Sequence, residues 1–341
     1  MRALRRVFIL VLTLALVAAA CGDDDADGGA DTTAAATTEA PAGPYVPTSP
    51  ECVAPSDPGG GWDFTCRTIG GLFESMGLTG NVIVTNQPGG GGGVAFADIA
   101  ANRFDEDDLV IAASPATAIR FAQNRYTGLE ADQFRWIGAI GADFGVVAVT
   151  QDSPFQTFDE LVAAVRADPG ATVFGGGSPP GGQDHFKVLL LAVELGVDPE
   201  AIPWVAYDGG GEAQNALLGG EIEVFTGDVS ETFGNEDLRI LAVMAEDRIE
   251  GMDAPTTIEL GYTTIFPIWR GLLAPGGMSD EAYDFWVDAL GQVEASDEWA
   301  EARAGNGLSP LRLLGDDFQA FALDAVASFR ILSEPFGLVA P

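Results

Sequence analysis

Histidine and lysine are almost missing from this 341-residue chain, which holds one of each, His185 and Lys187. One imidazole and three cysteines are too few for a metal centre rich in nitrogen or thiolate ligands, and the acidic runs at 23–25 and 105–108 read as solvated loops. No metal or cofactor is expected. Catalysis by proton transfer or nucleophilic attack also has little to draw on. His185, beside Asp184 at the start of a predicted helix, reads as a helix-start polar contact, with a general base as the other reading. Ser178 is not a nucleophile elbow, because Pro180 stands where the second glycine of G-x-S-x-G must be. The lone lysine follows Phe186, so there is no Walker loop. Gly90, Gly92 and Ala95 fit a relaxed dinucleotide pattern, but five consecutive glycines fit almost any glycine pattern. Basic residues number 16 against 51 acidic ones, a formal charge of −35, which excludes nucleic acid as a partner.

Long apolar runs are equally scarce. The one at residues 7–20 follows Arg2, Arg5 and Arg6 and is too short and wrongly flanked for a membrane span, so residues 1–20 read as an export signal. Ala18-Ala19-Ala20-Cys21-Gly22 resembles the bacterial lipoprotein signal, with Ala18 where leucine is commoner. Cys21 is then a lipid anchor; ordinary cleavage leaving a free thiol is the alternative. Residues 21–50, rich in Asp, Ala, Thr, Gly and Pro, have almost nothing to bury and read as a disordered acidic tether. Loss of the leader arginines leaves 13 basic residues against 51 acidic, a charge of −38. Cys52 and Cys66 remain for a disulfide in an oxidising compartment, the other reading being two separately buried thiols. The rest of the chain is long enough for two domains.

What is present in quantity is glycine, 44 residues of it. Residues 51–67 compress a strand end, the turn Pro58, Gly59, Gly60, Gly61 and the start of a helix near Asp63 into one segment. A glycine turn at a helix N-terminus favours carboxylate, phosphate or sulfate, since free N–H groups and the positive end of the helix dipole meet there. Further strands are predicted at 81–85, 109–112, 146–150, 172–174, 204–206, 223–226 and 239–244. Helices are predicted at 95–102, 158–167, 183–195, 212–219 and 280–304. The alternation argues for α/β layers with helices on a largely parallel sheet. Glycine turns recur at 58–61, 88–93, 175–182 and 209–211, each after a strand and before a helix, so several helix N-termini can converge on one cleft.

Among polar candidates, Ser178 and Gln183 frame the third turn, where Ser178 either contacts a ligand or caps the helix and Asp184 caps it. Asp63 reads as a brace for the first turn, and Asp228 as a group that orients a donor or a bridging water. Tyr207 ends a strand and either reaches the cleft or forms a half-buried wall. Arg270 interrupts an apolar stretch. Its guanidinium either grips a ligand carboxylate or pairs with a buried acid.

Taken in order, several short motifs carry a resemblance. They are Pro58-Gly59-Gly60-Gly61-Trp62-Asp63 followed by Arg67, then Asn86-Gln87-Pro88-Gly89-Gly90, Arg135-Trp136-Ile137-Gly138 and Ser153-Pro154-Phe155. Gln183-Asp184, Gly209-Gly210-Gly211-Glu212, Gly227-Asp228 and Pro267-Ile268-Trp269-Arg270-Gly271 complete the series. From Glu51 to about Gly337 the chain resembles the substrate-binding receptors of tripartite tricarboxylate transporters, the TctC or Bug family, and Cys52 and Cys66 match the cysteine pair of its tricarboxylate-binding branch.

The resemblance implies a two-domain periplasmic binding protein fold, two α/β lobes joined by a hinge. One lobe spans 51–147 with 271–341 and the other 148–270. Ligand contacts would come from Pro58, Gly59, Gly60, Gly61, Asn86, Gly89, Gly90, Ser114 and Thr117 on the first lobe. Ser178, Gln183, Tyr207, Gly209, Asp228 and Arg270 would supply the rest. Pro179-Pro180 departs from the family pattern in the third loop. The implied function is an extracytoplasmic, lipid-anchored monomeric receptor, not an enzyme, that passes a citrate-like di- or tricarboxylate to separate membrane subunits. The alternatives are an aromatic acid or uncharged ligand on the same fold, or a secreted hydrolase using Ser178, His185 and Asp184.

Overall fold

A computed structural model describes residues 44–341. The expected leader, Cys21 and the tether as far as residue 43 lie outside the described residues. The last part of the expected tether is not loose. Asp108 accepts hydrogen bonds from the Tyr45 hydroxyl (2.5 Å), the Thr48 amide (3.0 Å) and the Ser49 amide (2.7 Å), which ties this segment to the body.

Ten strands form one mixed sheet: β1 (Glu51–Ala54), β2 (Ile83–Asn86), β3 (Leu109–Ala113), β4 (Arg135–Thr150), β5 (Phe174–Gly176), β6 (Trp204–Ala206), β7 (Val224–Phe225), β8 (Leu238–Met244), β9 (Pro267–Ala274) and β10 (Leu313–Leu314). Their order is β2-β1-β3-β9-β4-β7-β5-β6, with β8 and β10 also pairing β4. The sheet is not the largely parallel one that the alternation suggests. Two parallel sets, β2-β1-β3 and β7-β5-β6, flank a centre where β3, β9, β4 and β7 are mutually antiparallel. β4 pairs β9 through residues 135–144 and β8 through 145–150. The expected chain crossings at 147/148 and 270/271 therefore fall inside strands.

The helices are α1 (Gly61–Ser75), α2 (Gly93–Asn102), α3 (Pro115–Ala122), α4 (Phe158–Ala167), α5 (Gln183–Leu195), α6 (Gly210–Leu218), α7 (Val229–Thr232), α8 (Asp280–Glu294), α9 (Asp297–Gly305) and α10 (Gly315–Ser333). The stretch read as one helix from 280 to 304 is two, because Ser296 accepts the Trp299 amide hydrogen bond (3.0 Å) and starts α9 afresh. Helix α3 occupies what looks in the sequence like a turn at 114–117: Ser114 caps it and Pro115 fits its first position.

Three apolar cores hold these layers. Ile69 and Phe73 of α1 meet Trp286 and Leu290 of α8. Phe96 of α2, Phe121 of α3 and Phe318 of α10 share a second core with Trp136. Leu217 and Val229 meet Val146, Phe225 and Val243 in a third. Complete burial of each such side chain is worth roughly 1.5–3 kcal/mol. Gly138 in β4 lets the helical layer come close, since a Cβ there would stand 2.8 Å from a Leu290 methyl and 2.6 Å from one of Leu314. Among the described residues no helix is long and apolar enough to cross a membrane.

Candidate functional site

The strand-to-helix turns meet as anticipated. Gly60 and Gly61 after β1, Gly91 after β2, Gly177 to Gly182 after β5, and Gly209 and Gly210 after β6 line one cleft of about 40 Å³, room for about three waters. The N-terminal ends of α1, α3, α5, α6 and α7 border it. Its walls are latched together. The Asp57 amide donates to the Asp208 carbonyl (3.0 Å), the Ala116 amide to Gln183 Oε1 (3.1 Å), and Gln123 Nε2 to the Gly181 carbonyl (2.7 Å).

Of the anticipated contacts, Gly60, Gly61, Ser114, Ser178, Gln183, Gly209, Asp228 and Arg270 line the cleft. Others stand behind or beside it. Asn86 Nδ2 donates to the Ser56 carbonyl (3.0 Å) and to Asp63 Oδ1 (2.8 Å), and Asp63 Oδ2 accepts the Gly59 amide (2.9 Å), so these residues brace the first turn. Pro58 and Gly59 pack towards Gly211. Gly89 and Gly90 shape the second turn with positive φ while Gly91 reaches the cleft. Thr117 is wholly buried in α3 and its hydroxyl has no partner among the described residues. Tyr207 does not line the cleft; burial and then the Glu221 and Glu212 carboxylates push its pKa up.

The roles around α5 differ from their sequence assignment. Ser178 Oγ accepts the Asp184 amide (2.9 Å), so Ser178 satisfies the helix start while Asp184 pairs with Lys187 Nζ (2.7 Å). His185 Nδ1 accepts the Gly181 amide (2.8 Å), and burial lowers its pKa to about 4. No hydrogen bond joins Ser178 to His185 among the described residues, so the geometry of the hydrolase alternative is not assembled.

Beneath the cleft lies a buried ion network. Lys187 Nζ donates at 2.7 Å to Asp184 Oδ1, to Asp228 Oδ1 and to the Gly227 carbonyl. Arg270 Nη2 reaches Asp228 Oδ2 (2.6 Å), Ser230 Oγ (3.0 Å) and Asp143 Oδ2. Arg270 is thus the buried pair of its two sequence readings. Asp228 likewise spends its oxygens on Lys187, Arg270 and Gln183 Nε2. Burial pushes the Asp228 pKa up, but Lys187 and Arg270 outweigh it and hold the carboxyl below its ordinary value. Glu231, on the cleft wall, goes the other way. Burial, then the charges of Asp228 and Asp184, raise its pKa well above the usual carboxylate range. Two glycines are required by this packing. A Cβ on Gly61 would collide with Arg270 Nη1, and one on Gly210 would collide with the Glu231 carboxyl.

Sequence reasoning missed Ser56, Trp62 and Arg120. All three are buried on the cleft wall, and Ser56 Oγ, Trp62 Nε1 and Arg120 Nε have no hydrogen-bond partner among the described residues. Arg120 falls within helix α3, whose start reads as a turn in the sequence, so its approach to the cleft has no visible signal there.

The comparisons with known proteins point one way. Over 289 residues the chain is 27% identical to a Cupriavidus necator protein described as "UPF0065 protein in gbd 5'region", covering 82% of this chain and 85% of that one. The periplasmic binding protein BugD shares the fold with a TM-score of 0.76 at 22% identity, over 86% of this chain and 99% of that one. MatC from Rhodopseudomonas palustris, solved with bound malate, does so with a TM-score of 0.71 at 19% identity, over 86% and 99%. The sequence profile described as "Tripartite tricarboxylate transporter family receptor" matches residues 71–338, and with that match, the glycine-lined cleft and the two-lobed α/β binding-protein fold, this chain belongs to the TctC receptor family.

Proposed function

We propose that this chain is an extracytoplasmic receptor that takes a small di- or tricarboxylate, citrate-like first, into the cleft and delivers it to the membrane subunits of a tripartite tricarboxylate transporter. The observation that carries the reading is the convergence of five helix N-terminal ends and four glycine turns on one cleft, a donor-rich wall suited to an anion. The lobes are taken as 51–147 with 271–341, and 148–270, closing as rigid bodies about β4 and β9. Pro58, Gly59, Asn86, Gly89, Gly90, Thr117 and Tyr207 act from the rim or the second layer, while the residues lining the cleft touch ligand directly or through water. Lipid on Cys21 holds the monomeric receptor at the membrane, and no bond in the ligand is made or broken. The malate of MatC supports a small dicarboxylate as a ligand class.

The net charge of −35 opposes an anionic ligand, but the Debye length near 8 Å at physiological ionic strength mutes remote charges relative to donors in contact. Calorimetric titration of the purified chain with citrate, malate, adipate, benzoate and a neutral diamide tests the reading. Saturable heat with a di- or tricarboxylate is expected. Heat with benzoate or the diamide alone would overturn the ligand assignment.

A further inference from the structure

Arg120 is an arginine without an acid. It is 7% exposed, forms no salt bridge among the described residues, and makes a single hydrogen bond, a 3.3 Å contact from Nη1 to Gln123 Oε1. Its Nε has no partner at all. Burying a guanidinium this way is costly, and replacing an unpaired buried charge ordinarily stabilises a protein. The chain has 51 acidic residues available, yet none stands here. Trp62 Nε1 and Ser56 Oγ are left equally unsatisfied in the same cleft.

The three groups are brought to that cleft by adjacent parts of two turns. The second turn runs Gly91, at φ +64°, into Gly92, at φ +92°. A Cβ on Gly91 would lie 3.3 Å from Arg120 Nε and 3.0 Å from a Pro179 ring carbon, and one on Gly92 would lie 3.5 Å from the Trp62 ring. Arg120 and Trp62 therefore press against consecutive glycines, with Pro179 facing them across the cleft. Ser56 sits beside Gly60 in the first turn, its Oγ 3.0 Å from where a Gly60 Cβ would be. Arginine and tryptophan side chains donate and cannot accept. A hydroxyl can turn to do either. A ligand group at this end must accept from several donors and carry negative charge, which describes a carboxylate and excludes an ammonium or an amide nitrogen.

We infer that Arg120, with Trp62 and Ser56, is the specificity-determining anchor that receives a carboxylate of the ligand. The inference rests on the receptor reading above and moves the anionic contact from Arg270, whose guanidinium is taken by Asp143 and Asp228, to a residue of α3. It also gives the two ends of the cleft different tasks. The Arg120 end takes charge, and the Glu231 end meets whatever the rest of the ligand presents.

The test compares the full chain with its Arg120→Gln and Arg120→Met variants. Titration with citrate, malate and adipate measures receptor binding, and thermal melts in acetate, with acetamide as the neutral control, measure the anchor alone. Arg120→Gln is expected to weaken the best dicarboxylate by about 10- to 100-fold, the loss of charge-assisted hydrogen bonds. Acetate raises the melting midpoint of the parent chain and not that of the variant. Without ligand, Arg120→Met melts at or above the parent temperature, whereas an arginine kept for structure would lower it. Equal dicarboxylate affinity in parent and Arg120→Gln overturns the inference and leaves the receptor reading standing. An Arg120-dependent acetate shift with no dicarboxylate binding supports the anchor and defeats the citrate-like reading. No acetate shift and no dicarboxylate heat defeat both.

Discussion

Replacing Lys187 with methionine removes the ammonium from a wholly buried site and keeps most of its volume. At 2.7 Å and an effective dielectric constant near 20, each of its contacts with Asp184 and Asp228 has a gross Coulomb energy of about 6 kcal/mol. Desolvation of the three ions offsets most of that sum, and breaking a buried pair by removing one partner costs about 3–5 kcal/mol. For a body of this size the melting midpoint should fall by roughly 6–15 °C, read by circular dichroism at pH 7. The loss has a pH signature. Without Lys187 the carboxyls it faced have folded-state pKa values above their unfolded ones, so the folded state holds protons that the unfolded state has released. Stability of the variant is then poorest above those folded values and recovers as pH falls through them. Adding Asp184→Asn to Lys187→Met should restore part of the deficit at pH 7. A Lys187→Met chain whose stability at pH 7 lies within about 1 kcal/mol of the parent, well short of the loss of about 3–5 kcal/mol, would refute the reasoning.

Three further tests probe other parts of the site. His185 stays neutral to about pH 4 when folded but takes a proton near 6.5 when unfolded, so stability falls as pH drops from 6.5 to 4, by at most about 3 kcal/mol. Denaturant unfolding at pH 7 and pH 4.5 should show that slope disappear in His185→Asn; an unchanged slope rejects the assignment. Gly61→Ala drives a methyl into Arg270 Nη1 and should cost about 1–3 kcal/mol of overpacking strain, with a parent-like melt counting against it. The disulfide joining Cys52 to Cys66 links β1 to α1 across 14 residues, and its reduction should lower stability by about 3 kcal/mol; identical melts with and without reductant would contradict the chain-entropy account.

Much of this arrangement is legible in the sequence because it depends on local signals. Helices α4 and α5 can be read at their observed bounds: Thr157 and Glu160 form a capping box for the first, and Gly196 stops the second in a left-handed conformation. The four glycine turns are recognisable for the same reason, since Gly and Pro punctuate the chain wherever they occur. Non-local features are harder to see. Residues 135–144 of β4 contain Gly138 and Gly141 and look like a loop, and only the helical layer packed against them explains why a strand interior would forgo side chains there. Strand β9 stands out as an apolar stretch around Arg270, but its place at the centre of the sheet depends on β3 and β4, far away in sequence. Lys187 and Arg270 are visible only singly. Their convergence on Asp228 joins residues 41 and 42 positions apart, which no periodicity reports. Arg120 is hidden for the opposite reason: it is distinguished by a partner it does not have.

The burial of Lys187 has a chemical consequence outside ligand binding. It is the chain's one lysine, with a side chain 0% exposed and all three donor directions occupied. An amine-directed acylating reagent therefore finds no lysine on the native surface, only a free α-amino group where the N-terminus carries one. Acylation at residue 187 would mark a molecule that has opened its interior, so the rate of that single modification is a built-in clock for unfolding.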